Sequence, residues 1–146
     1  MKISKNSTAI AFIFLWLGFV CAISFMEAWL KFQAPGITLE LGLGIGKLVF
    51  GALNKVEWVL LIIILLNLII SKQNVFKGVN LLLILTFVIL LLQTFWLLPV
   101  LFERANLHIL GLNVSSRSFV HYFYIIIEVV KVVFLTILGI SLLKRR

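Results

Sequence analysis

Four long apolar runs divide the chain, at residues 8–30, 46–71, 78–101 and 118–142. Crossing the hydrocarbon core of a bilayer takes about 20 mostly apolar residues. Each run meets that length, so the pattern predicts an all-α integral membrane protein with four transmembrane helices in a bundle. The runs and their short connections fill residues 1–146, leaving one domain and no room for a separate soluble unit.

The breaks between runs carry their own signals. Lys31-Phe32-Gln33-Ala34-Pro35-Gly36 ends the first helix, because proline and glycine punctuate chains. Leu41 to Gly51 then alternates glycine with apolar residues, and Gly42 and Gly46 form a small-xxx-small pair suited to close packing. The same alternation suits a short re-entrant or interfacial segment between helices one and two, so helix two begins either near Leu41 or near Val56. It is no phosphate loop, since no Gly-Lys-Ser/Thr follows at the required spacing. Pro99 is placed to kink the end of helix three. The connection from Phe102 to Arg117 is polar, with His108 read as a solvated loop side chain and Ser116 or Ser118 as the cap of helix four. Asn113-Val114-Ser115 matches a glycosylation pattern, which matters only in a eukaryotic secretory setting.

Composition agrees with the pattern. The chain is 63% hydrophobic with mean hydropathy +1.22, where soluble domains are roughly 45–50% apolar. Its net charge of +8 lies mostly beside the apolar runs, the placement of the positive-inside rule and not of a nucleic-acid surface. Lys2 and Lys5, then Lys72 and Lys77, then Lys144, Arg145 and Arg146 all fall on one side of a four-crossing bundle. That side is predicted to be cytoplasmic, with both termini, in the cytoplasmic (inner) membrane of a bacterium. The opposite side carries mixed signs, among them Glu40 and Glu103. The N-terminal run continues through Leu30, beyond a typical signal core, and is read as a retained helix. Cys21 stands alone and is read as a small packing residue, and no Cys/His spacing suggests a metal site.

Polar residues inside the runs change the picture most. In helix four, His121, Tyr124, Glu128 and Lys131 recur at spacings of three, four and three, which puts them on one stripe. A charge at the bilayer centre costs roughly 2.5–3.5 kcal/mol on insertion scales, so Glu128 and Lys131 call for partners. They can neutralise each other as structural glue, or belong to a larger site. Helix one ends with Ser24, Glu27 and Lys31 on a common face; helix two opens with Lys47, Asn54 and Glu57. Helix three offers Gln93 and then Arg104, while Asn67 is read as bonding a neighbouring helix. Trp29, Trp58 and Trp96 read as an aromatic belt. Alternate crossing brings all these polar groups except Asn67 into the outer half, with Lys131 at the floor. The expectation is an outward-facing polar intramembrane pocket, sealed inward by Leu, Ile, Val and Phe.

Three functions are compatible with that layout. The pocket can bind or move a small ligand, an ion or a lipid headgroup, or serve as a proton relay, a path that a homo-oligomer would complete. It can belong to a membrane enzyme acting on a lipophilic substrate, with His121 or Glu128 as base and Lys131 or Arg104 holding an anion. It can be the interhelical glue of a structural or assembly subunit with a partner membrane subunit. No nucleophile elbow is present, and the sequence assigns no cofactor.

Trp29-Leu30-Lys31-Phe32-Gln33-Ala34-Pro35, the Gly46 to Gly51 start of helix two and His121 opening helix four resemble the small four-helix membrane proteins related to CopD and HemJ. That resemblance implies copper handling or porphyrinogen oxidation. The chain lacks a histidine in helix one, which porphyrin-handling members use, so no functional residue is carried over.

Overall fold

The structure, a computed structural model, describes residues 7–70, 79–112 and 119–144. The flanking basic residues other than Lys144, the connection of residues 71–78, Ser116, Arg117, Ser118 and the Asn113-Val114-Ser115 triplet lie outside the described residues. What is described is helical, and four of its helices are long and apolar enough to cross a membrane.

Helix α1 runs without a break through Ser7–Val20, Cys21–Glu27, Ala28–Leu30 and Lys31–Gln33. Its second section is a π-helix and its last turn is 3₁₀. It stops where the sequence says it must. Ala34 takes ψ 134°, because the ring of Pro35 crowds the preceding residue out of the helical region. Gly36 turns the chain with φ 81°, which costs a glycine little.

Helix α2 spans Leu39–Ile70, 32 residues in one piece. Thr38 caps it, accepting the Leu41 N–H on Oγ1 at 3.3 Å, and Glu40 in the first turn complements the helix dipole. The expected re-entrant segment is therefore ordinary helix. At about 1.5 Å per residue α2 is about 48 Å long, more than a hydrocarbon core requires. The glycines do not pair with another backbone. The Phe32 ring occupies the space above Gly42, and a Cβ on Gly46 would stand 3.2 Å from Lys31 Nζ. They make room for the last turn of α1.

Helix α3 comprises Val79–Leu92, a π-helical Gln93–Leu97 and Leu98–Ile109. Pro99 does not end it. Its missing N–H and its ring would disturb the turn around residue 95, and the widened π turn lies there. The helix continues to Ile109, so Arg104 and His108 are helical, and His108 is not a loop residue. Helix α4 is Phe119–Leu143.

The bundle is tight at one end and splayed at the other. At the closed end, where α1 and α3 begin, Ile13, Trp16, Val20, Leu61, Ile64, Leu90, Leu135 and Leu138 form the core. There α1 packs on α2 and α4, and Val79–Leu92 packs on α4. Asn67 accepts the Ala9 N–H at 3.3 Å, satisfying an orphan donor in the first turn of α1 across the helix interface. Beyond the π turn, Leu98–Ile109 packs mainly on α2 and barely touches α4. The outer part of α1 leaves α4 as well. The N-terminal half of α4 is thus released by two neighbours, and space opens beside it.

Candidate functional site

All four helices contribute to one buried polar cluster at mid-bundle. Lys131 of α4 donates to Glu57 Oε1 of α2 and, at 2.7 Å, to Gln93 Oε1 of α3. Its ammonium also lies 3.0 Å from Glu128 Oε2. Trp16 of α1 donates its indole N–H to Glu57 Oε1 at 2.8 Å. Ser24 of α1 donates to Glu128 Oε1 at 3.3 Å. Lys131 and Gln93 are 0% exposed, and Glu57 and Glu128 1%, so none of these charges is screened by bulk water. Bringing an ion into such surroundings costs several kcal/mol even after relaxation. The cluster offsets that with short charge-assisted bonds from three other helices. Two atoms stay without a hydrogen bond, Gln93 Nε2 and Glu128 Oε2; the latter has the ion pair but not the alignment.

The local sequence explains the placement. Leu53, Glu57, Leu60, Leu61 and Ile64 share the buried face of α2, and Tyr124, Glu128, Lys131, Leu135 and Leu138 that of α4. Ser24 and Gln93 lie in the two π segments. The extra residue per turn rotates the following residues relative to a regular helix, and such bulges recur at functional sites.

A second node joins α2 to α3. Thr94 Oγ1 accepts from Asn54 Nδ2 at 2.9 Å and from Trp58 Nε1 at 3.0 Å, and donates to Leu90 O at 2.7 Å. Asn54 is thereby committed to packing, and Trp58 is a half-buried hydrogen-bond donor and not a belt anchor. Trp29 and Trp96 are exposed.

Above the cluster lies a cavity of about 640 Å³. Phe25, Trp29, Phe32, Phe50 and Leu101 give it apolar walls; Arg104, His108 and His121 stand on them; Ser24, Tyr124 and Glu128 line it too. Tyr124 is buried and meets Phe50 edge to face at 5.7 Å. An adjoining cavity of about 150 Å³ shares Phe50, His121 and Tyr124 and adds Lys31 and Lys47. Lys47 donates to Asn106 Oδ1, joining α2 to α3. Lys31 pairs with Glu27 at 3.1 Å and sits 5.5 Å from the Phe50 ring centre.

The eleven expected site residues therefore divide into three groups. Arg104, His121, Tyr124 and Glu128 line the larger cavity, and Lys31 and Lys47 the smaller. Glu57, Gln93 and Lys131 are sealed beneath, touching neither, so the expected open polar pocket reaches only Glu128. Glu27 and Asn54 face neither cavity. Cys21 is exposed on the π-helix of α1 and packs against nothing in the core. Ser24, on the polar face expected of helix one, joins the polar architecture, and so do Thr94, Asn106, His108 and Trp16, which the spacing of polar residues does not single out. Trp16 had one legible signal: an indole N–H deep inside an apolar run, away from any interface, requires a partner. Among the described residues no three His, Cys, Asp or Glu side chains gather as a metal-ligand set.

No protein-family model matches the chain, and no curated protein or solved structure matches it either.

Proposed function

We propose that the protein is a multi-pass membrane protein whose larger cavity opens to the non-cytoplasmic face and binds a small lipophilic ligand with an anionic end. The observation that carries this reading is the composition of the cavity of about 640 Å³: aromatic and aliphatic walls bearing Arg104, His108 and His121. Ligand pockets commonly measure about 300–1,000 Å³, mostly apolar with a few placed polar groups. A greasy body suits Phe25, Trp29 and Phe50, and an anionic end suits the Arg104 guanidinium and the imidazole N–H groups beside it. The splay between α4 and its neighbours gives such a ligand a route from the outer leaflet, and the Leu- and Ile-rich closed end bars the way through. The charge bias of the connections supports cytoplasmic termini.

Native mass spectrometry of the protein released from lipid nanodiscs tests the reading, with Ala28→Trp as the control because Ala28 lines both cavities. A retained lipophilic adduct, lost in Ala28→Trp, supports it. An adduct-free protein, or an identical adduct in the filled variant, refutes it. A second reading, an enzyme on a lipophilic substrate, is favoured by His121 and Glu128 lining one cavity with Arg104, a base and an anion holder together. A chemically altered ligand mass after incubation would select it.

A further inference from the structure

Among the described residues, the charges that touch one another in the buried cluster are two carboxylates and one ammonium. Glu57 and Glu128 are both carboxylates, and Lys131 is the cation that touches both. A neutral partner, Gln93, takes one of the three ammonium protons. An unbalanced charge in a buried, largely apolar site is costly, and a site there that can take up a cation is favoured to do so.

The two carboxylates are not equivalent. Glu57 Oε1 receives two N–H donors, from Lys131 and from Trp16. Glu128 receives the Ser24 hydroxyl at 3.3 Å and has the Tyr124 hydroxyl beside it, and its Oε2 has no aligned hydrogen bond despite near-complete burial. Glu128 is also the member of the trio that lines the cavity. Ser24 of α1 and Tyr124 and Lys131 of α4 face Glu128 directly, while Glu57 of α2 and Gln93 of α3 are joined to it through the shared Lys131 ammonium. Arg104, His108 and His121 face the same cavity, while Lys31 and Lys47 line the smaller one and Glu27 stays with Lys31.

We propose that the Glu57–Lys131–Glu128 cluster is a proton-exchange site, holding one proton beyond those of the lysine and exchanging it with water at Glu128 through the cavity. The step is a plain proton transfer: Glu128 carboxylate takes a proton from hydronium or water at the cavity and returns it, with Ser24 and Tyr124 as hydroxyl neighbours. The proposal is independent of which ligand fills the cavity.

Infrared difference spectroscopy of the full chain in lipid nanodiscs, over a range of pH, tests it. The native protein is expected to show, at neutral pH and so well above the ordinary carboxylic-acid range, a carboxylic C=O band that shifts in D₂O. Glu128→Gln should abolish the band. Glu57→Gln should abolish it too, because Lys131 then serves one carboxylate and the extra proton is no longer required. Ser24→Ala removes only the hydroxyl donor and should move the band without erasing it, which decides the matter if Glu128→Gln fails to fold. Absence of any such band while the protein stays folded overturns the proposal. A band unchanged in Glu128→Gln, or one that persists in Glu57→Gln, also overturns it. So does its replacement on adding sodium, which would make the missing cation a metal ion.

Discussion

Lys131 lies 3.0 Å from Glu128, one turn away on its own helix, yet gives its hydrogen bonds to Glu57 and Gln93 on the two facing helices. A self-contained pair on α4 would have satisfied the local sequence. The structure instead uses the lysine to tie α2, α3 and α4 together at the depth where the bundle begins to splay.

Lys131→Met should therefore be severe. Removing one partner of a buried ion pair costs about 3–5 kcal/mol, because the stranded charge remains; here two carboxylates are stranded. Equilibrium unfolding in mixed micelles measures the loss. The triple variant Lys131→Met, Glu57→Gln, Glu128→Gln removes the charges together and should recover most of it. A single variant within about 1 kcal/mol of the native protein would contradict the buried network.

Thr94→Val tests the second node. The isosteric swap keeps the volume and removes the acceptor of Asn54 and Trp58. A buried donor left unsatisfied costs about 1–3 kcal/mol, so a loss in that range is expected in the same unfolding assay. Thr94→Ser keeps the hydroxyl and should retain most of the stability. If valine and serine behave alike, the node is not an energetic tie.

What could be read from the sequence follows from how local its cause is. The stripe of Tyr124, Glu128 and Lys131 was legible because helical spacing alone puts the three on one face, and the end of α1 was legible because Pro35 acts on its immediate neighbour. The partners were less so. That Trp16 joins Lys131 as a donor to Glu57 depends on how α1 packs against α2, 41 residues away in sequence. The two π segments leave no pattern in an apolar run, yet they hold Ser24 and Gln93. Helix three runs past its apolar stretch because the polar residues after Phe102, which look like a connection, belong to the cavity-facing and α2-facing surfaces of seven further helical positions, Glu103 to Ile109. Which members of the polar stripe meet the cavity is hidden from the sequence for the same reason: spacing gives a face, while only packing decides whether that face meets a cavity or another helix.

Gly139 reports on the closed end. A Cβ there would stand 2.9 Å from the tip of the Phe14 ring and 3.4 Å from Ile13 Cγ2. Phe14 is 38% exposed and can swing outward, so Gly139→Ala should cost little. Gly139→Leu must push α1 from α4 and should cost about 1–3 kcal/mol as overpacking. Equal stability of the two variants would mean that α1 and α4 are not in contact there.

The boundary between cavity and sealed cluster is the relationship on which the functional reading depends, and single cysteines can locate it. Cys21 is exposed and must first be replaced, by serine. In that background His121→Cys places a thiol on the cavity wall, and Leu135→Cys places one in the core, where the native residue is 0% exposed. A membrane-impermeant maleimide added to sealed vesicles should label position 121 from one side only, the side opposite the termini, and should leave position 135 unlabelled until the protein is denatured. Prior filling of the cavity by Ala28→Trp should slow labelling at 121 without affecting an exposed control at Leu110. Labelling of 121 from the side of the termini would invert the orientation. Labelling of 135 in the native bundle would show that water passes the Glu57–Lys131–Glu128 layer, and the cluster would then be part of a continuous path and not the floor of a one-sided site.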